Sequence, residues 1–440
     1  MVRKLFGTDG VRGRVGEFLT AELAFTLARA TVELCDGPDP RVLVVRDTRE
    51  SGQRLESAIA DGVAAAGGEA LLAGVLPTPA APLLLRQHGL ALAVVISASH
   101  NPYEDNGIKF FAADAFKLSD AAEQAVERQI EHPVSRGRGP GRTRALPGAA
   151  EDYLQALQAR FSRLDLGGVR VLLDCANGAT HRVAPEIFRR LGAQVEVTAD
   201  APDGRNINAG VGSTNIGHLV AGMATGAHDI GFAFDGDGDR VLAADRAGRV
   251  VDGDELIALA ALHLQRAGEL GGGVAVTVMT NYGFHLAMRE AGVEVATTDV
   301  GDRYVNEELR RRGWRLGGEQ SGHVIDLGFG PSGDGIATAL LTLEALAGAD
   351  LSERQVLHKL PQQLVSLTAG SRQLLRSALE ADGVGEAITA AGADLAGRGR
   401  VLVRVSGTEP VIRVMVEAPS DEETTAVCAN LCAVVRAALK

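Results

Sequence analysis

No stretch of this 440-residue chain approaches the roughly 18 to 20 consecutive apolar residues that a membrane span requires. None follows the opening Met1-Val2-Arg3-Lys4-Leu5 either. A transmembrane helix and a secretory signal are therefore not expected, and the chain reads as cytoplasmic. Cysteine is scarce: Cys35, Cys175, Cys428 and Cys432 lie in apolar surroundings and make no disulfide framework. Cys428 and Cys432 share a helix face, but without a neighbouring His they read as core filler rather than metal ligands. No Gly-x-x-x-x-Gly-Lys-[Ser/Thr] loop occurs, so a nucleotide-hydrolysing P-loop is not implied. Positive charge is in deficit. The 44 Lys and Arg against 56 Asp and Glu leave a formal charge of −12, which disfavours a nucleic-acid partner while permitting local basic pockets for small anions. What remains is an ordinary soluble composition, 46% apolar and 23% charged, long enough for about three domains on the usual size prior.

One order of elements recurs three times: strand, helix, Ala-Gly or Leu-Gly turn, strand, helix, strand. The first copy runs from Val42–Val45 through Ala66-Gly67 and Ala70–Leu72 to Leu92–Ile96. The second runs from Val169–Leu173 through Leu191-Gly192 and Val195–Val197 to Ile230–Phe234. The third runs from Val274–Val278 through Ala291-Gly292 and Val293–Val295 to Trp314–Leu316. Near-continuous apolar strands alternating with helices predict three related α/β domains with mixed, mostly parallel sheets covered on both faces. Between the first two copies, Ser135 to Arg142 is too rich in Gly, Pro and Arg to pack regularly and reads as a solvated linker or exposed hairpin. After about Leu367 the pattern changes. A strand pair over Val401–Val405 and Ile412–Glu417, then a helix from Ser420, predict a smaller α+β domain. The expected divisions are residues 1–148, 149–250, 251–366 and 367–440.

The last strand of each copy runs into a polar, glycine-bearing loop: Ser97 to Pro102, Asp235 to Arg240, and Gly317 to His323. Ligands of such sheets gather at the carboxyl ends of strands, so the three loops are placed to face one cleft. In Asp235-Gly-Asp237-Gly-Asp239-Arg240, carboxylates at alternate positions point the same way and glycine lets the chain curl around one ion. Oxygen ligands select a hard divalent cation, Mg²⁺ where phosphate is handled. Arg240 and Arg246 stand where an EF-hand needs Gly and Glu, which excludes that calcium loop. A phosphatase using Asp235 as nucleophile, in the haloacid dehalogenase manner, stays open, as does a solvated acidic turn.

Ser99 follows an apolar strand in Ser97-Ala98-Ser99-His100-Asn101-Pro102, where Pro102 forces the chain outward. It is a candidate nucleophile; the plainer alternative is a turn serine capping a following helix. A Ser-His-Asp hydrolase is disfavoured, since no Gly-x-Ser-x-Gly elbow surrounds Ser99 and adjacent side chains point apart in extended backbone. Arg404, Ser406, Gly407, Thr408 and Arg413 supply two guanidinium forks, two hydroxyls and a glycine turn, equipment for gripping a phosphate, though a surface hairpin would look the same. Glu319 and Ser321 suit sugar hydroxyls, and His323 suits proton transfer. Lys109 and Arg12 add positive charge near glycine turns.

Taken together and in order, these segments resemble the α-D-phosphohexomutase superfamily across essentially the whole chain. Phe6 to Gly13, Gln320 within Gly-Glu-Gln-Ser-Gly-His, and Thr277 to Gly283 are similar to its phosphoglucosamine mutase branch, with Thr280 where Ser is commoner. The resemblance implies four domains around a central cleft. It implies Ser99 as the phosphoserine, sharing Mg²⁺ with Asp235, Asp237 and Asp239. Glu319 and Ser321 would contact the sugar. Arg404, Ser406, Gly407, Thr408 and Arg413 would hold the phosphate that does not react. Lys109, His323 and Arg240 would transfer protons or stabilise charge, with His100 and Arg12 supporting the serine loop. The implied reaction interconverts glucosamine 6-phosphate and glucosamine 1-phosphate through glucosamine 1,6-bisphosphate, a step that in this family feeds UDP-N-acetylglucosamine and cell-wall synthesis. A small sugar phosphate is then the expected partner, with no nucleic acid and no membrane, the chain acting as monomer or homodimer. Glucose or mannose phosphate is the alternative substrate.

Overall fold

Three of the four sheets repeat one plan, and the plan explains where the polar loops end up. The computed structural model describes residues 4–7, 9–368, 371–406 and 410–439. In the first sheet Arg41–Arg46 lies between Glu69–Val75 and Leu92–Ile96, all three parallel. The chain then turns back, and Asp105–Ala112 pairs antiparallel with Leu92–Ile96. Val11–Arg14 and Arg142–Ala145 complete the two edges. The second sheet repeats this with Arg170–Asp174 between Gln194–Thr198 and Ile230–Phe234, followed by antiparallel Val241–Asp245. In the third, Gly273–Thr277 pairs in parallel with Leu316–Gly318, onto which Val324–Asp326 folds back antiparallel. Side chains from Val42 to Val45 are wholly buried, the outcome expected for a sheet covered on both faces. Each repeat therefore reverses direction at the carboxyl end of its last parallel strand, and that reversal is the polar loop.

The described chain forms two units. The first comprises Met1–Val278 with Ala296–Arg354, the second Met279–Val295 with Gln355–Lys440. Sequence patterning did not anticipate that Met279–Val295, from the third repeat, groups with the carboxyl-terminal part. Asn281 explains it: its Oδ1 caps the helix Tyr282–Glu290 and accepts from Leu360 N at 2.9 Å, while its Nδ2 donates to Leu360 O at 3.0 Å. Buried Glu417 accepts from Tyr282 N at 3.0 Å and from Arg400 Nε at 2.6 Å. These bonds tie the segment to the carboxyl-terminal sheet, where an unpaired buried carboxylate would be costly.

That sheet has three antiparallel strands, Arg400–Val405 and Gln362–Thr368 flanking Val411–Glu417. The pair expected from sequence is present; Gln362–Thr368 is a third strand that alternation alone did not reveal. The last helix, Asp421–Ala438, is capped by Ser420, whose Oγ accepts from Glu423 N at 3.2 Å, with three acidic residues in the first turn as the helix dipole favours. The stretch expected to be a solvated linker is irregular and mostly exposed, with Arg138 as the exception. Arg138 is half-buried, its side chain only 6% exposed, and donates to the carbonyls of Val32, Cys35 and Gly37, while Arg142 opens an edge strand. The Arg138 guanidinium thereby supplements the acceptors at and just beyond the end of the helix Ala21–Leu34. No helix among the described residues is long and apolar enough to cross a membrane.

Candidate active site

A cavity of about 360 Å³ in the first unit is lined by residues from all three repeat loops, including Ser99, His100, Asp239, Arg240, Glu319 and His323, with Asp9 and Arg12 from the amino-terminal segment. Behind its wall lie Asp235 and Asp237. Both are buried, and with Asp239 their carboxylate oxygens come within 4.8 Å of one another. Ser99 Oγ donates to Asp235 Oδ2 at 2.5 Å, and Asp235 Oδ1 accepts from Arg240 N at 3.1 Å. The serine and aspartate loops, 136 residues apart in sequence, thus meet at one point.

Ser99 does not cap a helix. It sits in a turn before the strand Asp105–Ala112, at φ +52°, in the left-handed region that few non-glycine residues occupy. The expectation that its neighbour points away fails for the same reason. Left-handed backbone brings His100 Nδ1 to 3.3 Å from Ser99 Oγ. A Ser-His hydrolase is still not assembled, because the imidazole is pushed down to about 4 by burial and by the Arg240 and Arg12 cations, and no carboxylate hydrogen-bonds to it among the described contacts.

Three buried carboxylates together are an electrostatic problem. Burial, then repulsion from Asp239 and Asp237, raises the Asp235 pKa well above the ordinary carboxylate value. Asp239 goes the other way: burial opposes its ionisation, but His323 and Lys109 hold its pKa low. Lys109 is buried, with Nζ 3.0 Å from Asp237 Oδ2, 3.2 Å from Asp9 Oδ2 and 3.7 Å from Asp239 Oδ2. Burial disfavours the ammonium, yet these carboxylates raise its pKa. Lys109 therefore stays charged, which suits charge stabilisation rather than proton abstraction. His323 Nδ1 lies 3.6 Å from Asp239 Oδ1, and its Nε2 accepts from Gly333 N at 3.1 Å. Burial opposes the imidazolium, but the Asp239 and Asp302 carboxylates raise its pKa.

The donor set fits a hard divalent cation. Asp237 Oδ1 and Asp239 Oδ1 are buried without a hydrogen-bond partner, the state expected of oxygens placed for an ion. Glycine is required for the curl: Gly238 has φ +71°, and a Cβ on Gly236 would fall 2.7 Å from Ser99 O. Arg12 and Arg240 each keep a buried Nε without a hydrogen-bond partner beside the cavity, donors available to an anion. Glu319, which lines the cavity, accepts through Oε1 from Gly301 N at 3.1 Å. Ser321 is exposed and is not among the lining residues.

Arg404 and Arg413 belong to the second unit, where they are directly opposed on neighbouring strands. Residues so paired place their side chains on one face of the sheet. Ser406, at the end of the same strand, is buried and bonds through its N–H to Val411 O at 2.8 Å. Gly407 and Thr408 lie outside the described residues. Sequence reasoning missed Asp9, which joins Lys109, Lys117 and Arg12, and Thr78, whose Oγ1 donates to Asp237 Oδ2 at 2.7 Å. Asp9 stood inside the glycine-bearing opening segment; nothing in the sequence around Thr78 marks it.

Four models of the phosphoglucomutase/phosphomannomutase family match in succession: alpha/beta/alpha domain I over residues 3–136, domain II over 151–248, domain III over 252–364 and the C-terminal domain over 368–434. A phosphoglucosamine mutase of Moorella thermoacetica is 48% identical over 439 residues, covering 97% of this chain and 98% of that protein. The chain belongs to the phosphoglucosamine mutases of this family. A phosphoglucomutase/phosphomannomutase family protein from Burkholderia thailandensis has the same fold, with TM-score 0.84 and 25% identity over 100% of this chain and 98% of that one. The N-acetylphosphoglucosamine mutase of Aspergillus fumigatus, crystallised with GlcNAc-6P and magnesium, shares the fold at TM-score 0.65 and 19% identity over 99% and 96% of the two chains. In this chain a serine lies beside three buried aspartates.

Proposed function

We propose that the protein interconverts glucosamine 6-phosphate and glucosamine 1-phosphate, with Ser99 as the phosphoryl carrier. The observation that carries this reading is the 2.5 Å contact between Ser99 Oγ and Asp235 within the carboxylate trio. Phosphoserine at Ser99 donates its phosphoryl group to the free sugar hydroxyl, whose proton leaves to a base and whose oxygen forms the new P–O bond. The P–O bond to Ser99 Oγ breaks as it forms. The product is glucosamine 1,6-bisphosphate. After the bisphosphate turns over, Ser99 takes the phosphoryl group from the other end, releasing the isomerised monophosphate and restoring phosphoserine.

Asp235, Asp237, Asp239 and Ser99 are the residues that would hold Mg²⁺, which when bound offsets charge on the transferring phosphoryl group. Lys109 and Arg240 add fixed positive charge around the same oxygens. Glu319 accepts from sugar hydroxyls in either orientation, with Ser321 as a further contact. His323 is the proton-transfer candidate, and His100 and Arg12 support the serine loop. Arg404, Ser406, Gly407, Thr408 and Arg413 grip the phosphate that is not reacting.

Treatment with glucosamine 1,6-bisphosphate followed by peptide mapping places one phosphoryl group on the peptide containing Ser99. Label in the Asp235 peptide, labile in mild alkali, would instead establish an aspartyl phosphatase. Turnover of glucosamine, glucose and mannose 6-phosphates decides the substrate: rapid turnover of mannose 6-phosphate with none of the amino sugar refutes the assignment.

A further inference from the structure

Ser99 occupies unfavourable left-handed backbone, so something must hold it there, and the holders are not the residues that touch the reaction. Behind the loop lies the buried side chain of Arg49. Its Nη2 donates to Ser99 O and Asn101 O, both at 2.9 Å. Its Nη1 donates to Pro102 O and, at 3.0 Å, to Asp105 O. Its Nε donates to Asp47 Oδ2 at 2.8 Å. All five guanidinium N–H groups are thereby used. The same Asp47 oxygen accepts from Ser97 Oγ at 2.6 Å, and Ser97 Oγ accepts from Ser99 N at 2.9 Å.

The second repeat contributes one side chain to this cage. Asn208 Nδ2 donates to Ser99 O at 3.0 Å and Asn101 O at 3.2 Å. Asn208 is itself left-handed, at φ +59°, with its N–H bonded to Ala176 O at 2.9 Å. A Cβ on Gly236, between two of the aspartates, would lie 2.7 Å from both Asn208 Nδ2 and Ser99 O. The amide, the serine carbonyl and the aspartate loop are therefore packed at one point.

We infer that Arg49 and Asn208 are positioning residues for phosphoryl transfer at Ser99. They clamp its carbonyl from opposite repeats and so fix the left-handed backbone that aims Oγ at Asp235. This deepens the mutase reading and rests on Ser99 being the phosphoryl carrier. Neither residue lines the cavity, so loss of the clamp affects turnover rather than sugar binding.

The test uses full-length enzyme with Mg²⁺ and the variants Arg49→Lys and Asn208→Ala, with Thr48→Val as comparison. Thr48 Oγ1 donates to Asn177 O at 2.6 Å, a bond between the same two repeats that does not touch the serine loop. Expected for Arg49→Lys and Asn208→Ala is a fall in kcat of about 10- to 100-fold, the cost of misplacing a reacting atom by a fraction of an ångström to an ångström. KM for glucosamine 6-phosphate stays within about threefold, and single-turnover transfer from glucosamine 1,6-bisphosphate to Ser99 slows as kcat does. Thr48→Val loses thermal stability but keeps its kcat. Unchanged kcat in folded Arg49→Lys and Asn208→Ala overturns the inference, as does a loss confined to KM. If Arg49→Lys does not fold, Asn208→Ala decides; if neither folds, the residues are scaffold and the inference falls. An unaltered enzyme that isomerises the sugar without ever carrying phosphate on Ser99 is a different result, refuting the carrier reading itself.

Discussion

Replacing Asp235 by Asn isolates the electrostatic cost of the carboxylate trio. The substitution keeps the shape, and the remaining carbonyl can still accept from Arg240 N, while the amide can donate to Ser99 Oγ. What it removes is one of three charges whose oxygens lie within 4.8 Å, where each ionised pair costs at least about 3.5 kcal/mol at an effective dielectric of about 20. Asp235 faces two such pairs. The full repulsion is not felt, because the unaltered protein escapes part of it by keeping Asp235 protonated, which is the meaning of its raised pKa. A carboxyl whose pKa is raised on folding contributes stability that is complete below the unfolded value, about 3.9, and is lost as pH rises through the folded value. In chelator, therefore, Asp235→Asn and the unaltered protein melt alike near pH 4. Above that the variant becomes the more stable, the difference growing with pH as the unaltered Asp235 is forced to ionise against Asp237 and Asp239. In millimolar Mg²⁺ the order reverses, since ligand binding stabilises by mass action and the variant has lost a ligand. Calorimetric melts from about pH 4 to 9, with chelator and with Mg²⁺, measure this. A variant less stable than the parent in chelator at every pH, yet with an undiminished Mg²⁺-induced shift, would refute the reasoning.

Lys109→Met leaves Asp9, Asp237 and Asp239 without their shared cation, and removing one partner of a buried ion pair costs about 3 to 5 kcal/mol. Denaturant melts in chelator should register that loss, partly recovered by added Mg²⁺. Asp334 caps the helix Gly335–Leu346, accepts from Tyr153 Oη at 2.8 Å and is raised by burial to about 6. Its contribution is complete below about pH 4 and lost through about pH 6, so relative to Asp334→Asn the unaltered protein should lose about 3 kcal/mol between about pH 4 and 7, read from melts across that range. Arg404→Ala, removing one charged hydrogen bond to a phosphate worth about 1.5 to 3 kcal/mol, should raise KM for glucosamine 6-phosphate roughly 10- to 100-fold in steady-state assays.

Sequence alone determined the three-fold recurrence of strands and the loops at their carboxyl ends, because apolar runs of strand length between glycine turns admit few other folds. It also determined the aspartate trio, since alternating carboxylates separated by glycine have few uses away from a cation. Ser99 was legible as a candidate from its place beyond an apolar strand. The conformation at Ser99 was not. Extended backbone sends its side chain away from His100, whereas the left-handed turn is bonded by Arg49, Asn208 and the Ser97–Asp47 link, from three separate stretches of chain. Arg138 carried the same lesson: a charged residue in a Gly- and Pro-rich stretch reads as solvated until the carbonyls it satisfies are known. Likewise Asn281 and Glu417, 136 residues apart, tie Met279–Val295 to the carboxyl-terminal sheet. Local pattern records which residues prefer to be buried or extended. Which distant donor meets which carbonyl is decided by the packed chain, where an unpaired polar group costs too much to leave.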